Sequence, residues 1–110
     1  EVRFMKTKTY NKLVRDRIPE IIEKSGKKYT VEILNDSDYL TMIDKKLDEE
    51  LAEYYKDQNI EELADLLEVI YAAAEARGYT VKQLEEMRIK KQIERGAFKE
   101  KLLLKEVTEE

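Results

Sequence analysis

Two short acidic motifs lie close together near the middle of the 110-residue chain. The first motif holds Glu49, Glu50 and Glu53, and the second holds Glu62 and Asp65. In each motif two carboxylates stand three residues apart, and on a helix this spacing places side chains on one face. Carboxylates grouped in this way are suited to holding a divalent cation or to taking a proton from water.

The segment between the two motifs, residues 56–59, has the composition of a turn. An antiparallel pair of helices around this turn would place Glu53 level with Glu62, and Glu50 level with Asp65 about one helical turn deeper. Two like charges about 4 Å apart repel by roughly 4 kcal/mol at an effective dielectric constant near 20. Four converging carboxylates therefore need protons or cations beside them.

The types of ligand narrow the choice of metal. Oxygen ligands favour magnesium, manganese or calcium. The chain contains no histidine and no cysteine, which excludes the usual zinc sites. It also excludes di-iron bundles of the ferritin type, which use a Glu-x-x-His motif. The predicted metal ligands are Glu50, Glu53, Glu62 and Asp65.

Two other interpretations of these acids stay open. Most acidic residues on helices face water, and Asn59 with Glu62 fits a capping box in which Glu62 only closes the start of a helix. A projection at about 100° per residue places Glu62 in line with an apolar row and Asp65 at its edge, whereas Glu49 faces nearly away from the core. That row consists of Leu66, Val69 and Ala73. The projection therefore favours a site in which Glu62 and Asp65 turn toward a neighbouring helix.

The arrangement E-E-x-x-E followed by E-x-x-D resembles that of the all-α nucleoside triphosphate pyrophosphohydrolases, the MazG-like superfamily. That group includes phosphoribosyl-ATP pyrophosphohydrolases and dimeric dUTPases. The segment YNKLVRDRIPEII at residues 10–22 and the segment RGAF at residues 95–98 are similar to one branch of it, the predicted house-cleaning pyrophosphatases. The resemblance runs from about Tyr10 to Val107, nearly the whole chain.

The resemblance implies hydrolysis of a nucleoside triphosphate to a monophosphate and pyrophosphate, with Mg²⁺ or Mn²⁺ as cofactor. It also implies a homodimer or homotetramer. Because the chain has no histidine, no cysteine and no P-loop, direct attack by water is expected, although the spacing does not fix which phosphorus is attacked. The candidate catalytic carboxylates are Glu49, Glu50 and Glu53. Glu49 belongs to the family motif, and its role is open between base and support of another ligand.

Five basic side chains are candidates for binding phosphate: Lys12, Arg15, Arg88, Lys91 and Arg95. For Lys12 and Arg15 the resemblance suggests contact with the triphosphate or pairing with the acidic site, and a solvated helix entry is the alternative. Arg88, Lys91 and Arg95 continue a helical stripe that begins at Leu84. Such a row either holds phosphates or faces water.

The predicted fold class is mainly α, a MazG-like helical bundle completed by oligomerisation, within a single domain at 1–110. A first helix is expected to end near residue 24, and three further helices are expected to cover about 38–57, 60–77 and 80–95. Residues 1–9 should form a loose arm. A small two-stranded β element is predicted to pair residues 29–34 with residues 98–107, because a lone strand leaves its backbone groups unpaired. Residues 63–74 are apolar around most of the helix, so they should pack against a second subunit.

Composition limits the partners. Charged residues make up 42% of the chain and the net charge is −4, so neither nucleic acid nor an anionic membrane is an expected partner. No apolar run has the length of a membrane span, no signal peptide is visible, and the lack of cysteine is compatible with the cytoplasm. The competing class of function is a non-catalytic acidic helical module that binds a partner protein or a divalent cation.

Overall fold

The computed structural model describes residues 6–109, and this part of the chain contains four α-helices. They are α1 (Ile18–Lys24), α2 (Asp36–Asp57), α3 (Ile60–Ala76) and α4 (Val81–Arg95). The mainly helical fold class is thus confirmed. Residues 6–9 have no regular secondary structure, as predicted for the arm, whereas the first five residues of that prediction lie outside the described part. None of the described helices has both the length and the apolar character needed to cross a lipid bilayer.

Local sequence signals set the helix ends. The Asn35 side chain accepts a hydrogen bond from the Asp38 amide at the start of α2. Thr80 and Gln83 form a complete capping box at the start of α4. The chain turns between α2 and α3 at Gln58, whose φ of 50° lies in the left-handed region. The predicted hairpin is therefore present, and its turn is only two residues long.

The α2–α3 hairpin holds the two buried residues of the described chain, Ile43 and Val69. Val69 belongs to the apolar row that contains Glu62, and its flanking members Leu66 and Ala73 are half-buried. This row therefore faces α2. Because Glu62 lies on the same row, its carboxylate is carried toward the acids of α2.

The other apolar row of α3 is not covered by any of residues 6–109. Its large side chains, Leu63, Leu67 and Ile70, are exposed over 46%, 45% and 37% of their surface. A helix that is apolar on two faces and exposes one of them to water can bury that face against another helix or subunit. The expectation that this helix is enclosed on several sides is not met within one chain.

The predicted β element is wrong for the described residues. Neither residues 29–34 nor residues 98–107 form a strand, and Ile33 and Phe98 are almost fully exposed, at 98% and 99%. The physical reason is that no backbone hydrogen bond joins the two segments, so neither supplies the partner that a strand requires. Alternation and composition indicated a strand, but a strand needs a neighbour.

The chain is elongated. Its principal dimensions are 82 × 31 × 24 Å, and its radius of gyration is 19.9 Å. A compact domain of about 100 residues has a radius of gyration near 13 Å. The single chain therefore does not close around a core of the size that its apolar content allows.

Removing the cap of α3 should destabilise the hairpin. The Asn59 side chain accepts a hydrogen bond of 2.9 Å from the Glu62 amide. We expect Asn59→Ala to lower the free energy of unfolding by about 1 kcal/mol, whereas Asn59→Ser, which keeps the acceptor, should lose much less. Urea denaturation followed by circular dichroism measures both. Equal midpoints for wild type and Asn59→Ala would contradict the assigned cap.

Candidate metal centre

Carboxylates from α2 and α3 meet beside the turn of the hairpin. Oxygen atoms of Glu50, Glu62 and Asp65 all lie within 4.8 Å of one another, and all three residues are partly buried. A second group formed by Glu53, Asp57 and Glu62 meets the same limit. The structure therefore brings together the four predicted ligands in two overlapping groups that share Glu62.

Glu62 occupies this position because it is not used to cap its own helix. In a capping box the side chain at the third helical position bonds back to the amide of the cap residue. At α4 this return bond is present, since the Thr80 amide donates to Gln83 Oε1 at 2.9 Å. At α3 only the bond from the Glu62 amide to Asn59 is found among residues 6–109. The carboxylate of Glu62 is thus left for the acidic group.

The cost of this arrangement appears in the pKa of Glu62. Loss of hydration raises it above the ordinary value for a glutamate, and the charges of Asp65, Asp57, Glu53 and Glu50 raise it further. An acid whose pKa is raised by its neighbours binds a proton or a cation more readily than an isolated acid. Unlike Glu50 and Asp65, Glu62 forms no ion pair within residues 6–109, so a cation would be its first partner of opposite charge.

Lys46 lies at the inner edge of the site. Its ammonium is 3.2 Å from Glu49 Oε1 and 3.4 Å from Glu50 Oε1, one helical turn along α2. The side chains of Lys46 and Glu50 are only 15% and 13% exposed. Lys46 therefore joins Glu49 to the rest of the acidic group, although the helical projection placed Glu49 on a nearly opposite face.

The irregular segment from residue 10 to the start of α1 continues the arm, and it supplies two further cations. Lys12 donates to Glu49 Oε1 at 2.9 Å, and the guanidinium of Arg15 donates to Asp65 Oδ1. These partners stand 37 and 50 residues apart in the sequence. The Ile18 amide bonds to the Arg15 carbonyl at 3.0 Å, which ties this part of the arm to the start of α1. Of the readings left open for Lys12 and Arg15, pairing with the acids is the one observed.

The Lys12–Glu49 pair perturbs both groups. The hydrogen bond to Glu49 raises the pKa of Lys12, although partial burial acts in the opposite direction. Partial burial alone would raise the pKa of Glu49, but the hydrogen bonds from Lys12 and Lys46 outweigh it and hold that pKa below its ordinary value. Glu49 is therefore ionised and doubly paired, which suits support of the site better than acceptance of a proton.

The three basic candidates on α4 do not reach the acids. Arg88 pairs with Glu85 at 2.8 Å, and the Tyr71 hydroxyl of α3 donates to the same carboxylate at 3.1 Å. Lys91 and Arg95 are exposed, and neither forms an ion pair with another of residues 6–109. The bond from Tyr71 to Glu85 joins α3 to α4, whereas Arg88 pairs within α4. The phosphate role of these three residues stays a prediction.

Two residues of the site were missed by the sequence reasoning. Asp57 stands four residues after Glu53, and Lys46 stands three and four residues before Glu49 and Glu50. Both spacings place side chains together on a helix. The signal is therefore present in the sequence, but Asp57 falls in segment 56–59, which is predicted to be a turn, and Lys46 is not among the predicted site residues.

The donor set fits a hard divalent cation. Magnesium binds oxygen at about 2.0–2.1 Å, so opposite ligands stand about 4.2 Å apart, and calcium accepts about 2.3–2.6 Å. Carboxylate oxygens within 4.8 Å of one another need only small side-chain movements to reach such distances. Glu50, Glu62 and Asp65 would hold the ion most directly, with Glu53 beside them.

Comparisons with known proteins leave the family open. No known family model matches the chain, and no solved structure matches it. A segment of 41 residues is 54% identical to an uncharacterized protein of Mycolicibacterium smegmatis, which covers 37% of this chain. That segment amounts to 42% of the relative, so the match spans less than half of the relative's own length. A function for the chain therefore has to be argued from its own residues and from the resemblance of its motifs.

Proposed function

We propose that the chain is a metal-dependent nucleoside triphosphate pyrophosphohydrolase of the MazG-like type, which releases a nucleoside monophosphate and pyrophosphate. The observation that carries the proposal is the grouping of Glu50, Glu62 and Asp65 beside Arg15, a cation 50 residues distant in sequence from its partner. Carboxylates suited to a divalent cation, next to basic groups suited to phosphate, are the two requirements of triphosphate hydrolysis. A role in cleaning the nucleotide pool would place the enzyme in the cytoplasm.

The residues of the site have distinct roles in this proposal. A bound Mg²⁺ would offset the charge of the phosphates and lower the pKa of a coordinated water. Glu50, Glu62 and Asp65 hold the ion, and Glu53, which belongs to the second acidic group with Asp57 and Glu62, is placed to accept the proton of the attacking water. Lys12 and Arg15 are placed to hold the phosphate chain once it enters.

The proposed enzyme acts as a homodimer or homotetramer. Its accessible surface is 10,876 Å², whereas a compact monomer of 13.1 kDa has about 6,400 Å² by the usual scaling with mass. The excess of about 4,500 Å² on one chain exceeds the roughly 800 Å² per partner of an ordinary interface, and also the roughly 1,000–2,500 Å² per partner of an obligate one. The exposed row Leu63, Leu67 and Ile70 of α3 supplies an apolar surface for such contact.

One observation favours the alternative, a non-catalytic acidic module. Lys12, Arg15 and Lys46 already pair with three of the acids, so part of the charge is balanced within the chain. Thermal stability separates the two proposals, because a ligand that binds only the folded form raises the melting temperature. An enzyme should respond to magnesium and nucleotide together, whereas the module should respond to neither or to the metal alone.

The proposal predicts that pyrophosphate, and not orthophosphate, is the first product when purified protein is incubated with Mg²⁺ and a panel of ordinary and damaged nucleoside triphosphates. Reaction in ¹⁸O-labelled water then locates the attack, because the label enters the monophosphate for attack at the α phosphorus and pyrophosphate for attack at the β phosphorus. Diphosphates should be poor substrates. Release of orthophosphate alone, or a phosphorylated protein after acid quenching, would contradict direct hydrolysis to pyrophosphate.

A further inference from the structure

An apolar groove lies between the end of α3 and the first half of α4. It has a volume of about 570 Å³ and is lined chiefly by Ala74, Tyr79, Leu84 and Met87. Tyr79 and Met87 are exposed over 60% and 51% of their surface. Ala74 also ends the α3 row that contains Leu63, Leu67 and Ile70, so the groove continues the unpartnered apolar face of α3. The two features form one apolar surface.

The segment after α4 carries apolar side chains that touch almost nothing. Leu102, Leu103 and Leu104 are 88%, 84% and 79% exposed, and Val107 is 79% exposed. The chain leaves α4 through Gly96, whose φ of +84° is one that residues with a Cβ rarely adopt. Three consecutive leucines in water lack the stabilisation that a leucine side chain gains when it is fully buried.

We propose that residues 98–107 of one copy of the chain seat their leucines in the α3–α4 groove of a second copy. This inference rests on the proposed assembly and specifies one of its contacts. The segment does not fold back onto its own groove, and the surface in excess of a compact monomer, about 4,500 Å², is large enough for each copy to cover part of another. When two copies exchange their segments reciprocally about a two-fold axis, each gives one segment and receives one, and the assembly closes with two copies.

The rim of the groove is compatible with this occupant. Glu86 and Lys90 flank the apolar lining, and Lys101, Lys105 and Glu106 flank the leucines of the segment. Charges of both signs on both surfaces allow opposite charges to meet around an apolar centre, which is the usual arrangement of a protein interface.

Two measurements on the full chain test the contact. The first is sedimentation at micromolar concentration, in which wild type should exceed the 13.1 kDa of one chain at least twofold. Leu102→Asp with Leu104→Asp should shift the mass toward a single chain, and so should Met87→Asp in the groove. Lys99→Gln, a change at an exposed position near the start of the same segment, is the matched control and should leave the assembly unchanged.

The second measurement uses the absence of cysteine from the chain. A mixture of Leu103→Cys and Met87→Cys proteins should form a disulfide-linked dimer on mild oxidation, whereas Leu103→Cys mixed with Lys45→Cys on α2 should not. A double variant that carries both Leu103→Cys and Met87→Cys is tested as well. A disulfide within one chain of this double variant, with no link between chains in the mixture, would overturn the proposal. Wild type that is entirely a 13 kDa species would overturn both the assembly and the contact. A wild-type dimer that is unaffected by the aspartates, and that gives no cross-link, would overturn the contact alone.

Discussion

Asp65→Asn and Glu50→Gln should each reduce pyrophosphate release at least about 100-fold while leaving the helical content unchanged. Both carboxylates belong to the group whose oxygens lie within 4.8 Å of one another, and an amide is a much weaker ligand for a hard cation. Substitution of residues that merely support metal ligands already lowers metal affinity or activity about 10–100-fold. Glu68→Gln, an exposed acid of α3, is the matched control and should retain activity. Turnover and Mg²⁺ titration followed by calorimetry give the two readouts.

Glu62→Gln extends this series to stability. Because the pKa of Glu62 is raised in the folded chain, the proton is held more tightly there than in the unfolded chain, and the resulting stabilisation is present at low pH and lost as the pH rises through that pKa. At neutral pH the charge of Glu62 therefore opposes folding. The metal-free Glu62→Gln protein should melt at a higher temperature than wild type, and Mg²⁺ should narrow or reverse the difference. Full turnover of all the amide variants in Mg²⁺ would remove the metal centre from consideration.

Arg15→Gln should tighten Mg²⁺ binding and slow the release of pyrophosphate. Arg15 pairs with Asp65, so in the free chain it occupies an oxygen that a metal ion needs. Exposed ion pairs contribute up to about 1 kcal/mol, so removal of the guanidinium should tighten Mg²⁺ binding without nucleotide by about two- to fivefold. Pyrophosphate release should nevertheless fall at least about tenfold, because a hydrogen bond from a charged donor to phosphate is worth roughly 1.5–3 kcal/mol.

Arg17→Gln is the control for this prediction. Arg17 lies two residues further along the arm and pairs with Glu20 of α1, away from the acidic group. Its substitution should change neither Mg²⁺ affinity nor turnover. Weaker Mg²⁺ binding in Arg15→Gln, or turnover at the wild-type rate, would contradict this prediction. Arg15 would then only form a structural ion pair with Asp65, and it would not exchange that bond for one to the phosphates of the substrate.

The amino-acid sequence by itself determined the helices, the turn between α2 and α3, and which acids of these two helices stand opposite one another. Each of these follows from local rules: Asn35 and Asn59 cap α2 and α3, and Thr80 with Gln83 caps α4. Once the turn at Gln58 is fixed, the repeat of the α-helix sets which residues of α2 and α3 stand opposite one another. Spacing alone therefore predicts the levels of the acids, with Glu50 opposite Asp65 and Glu53 opposite Glu62.

Tertiary structure decided which apolar row of α3 faces α2, and where the arm lies. Both rows of α3 are apolar, so periodicity cannot rank them, and only packing buries Val69 while leaving Leu67 exposed. The pairing of Arg15 with Asp65 joins residues 50 apart, and no local pattern encodes it. The strand predicted at residues 29–34 failed for the same reason, because a strand depends on a partner that its own sequence does not contain.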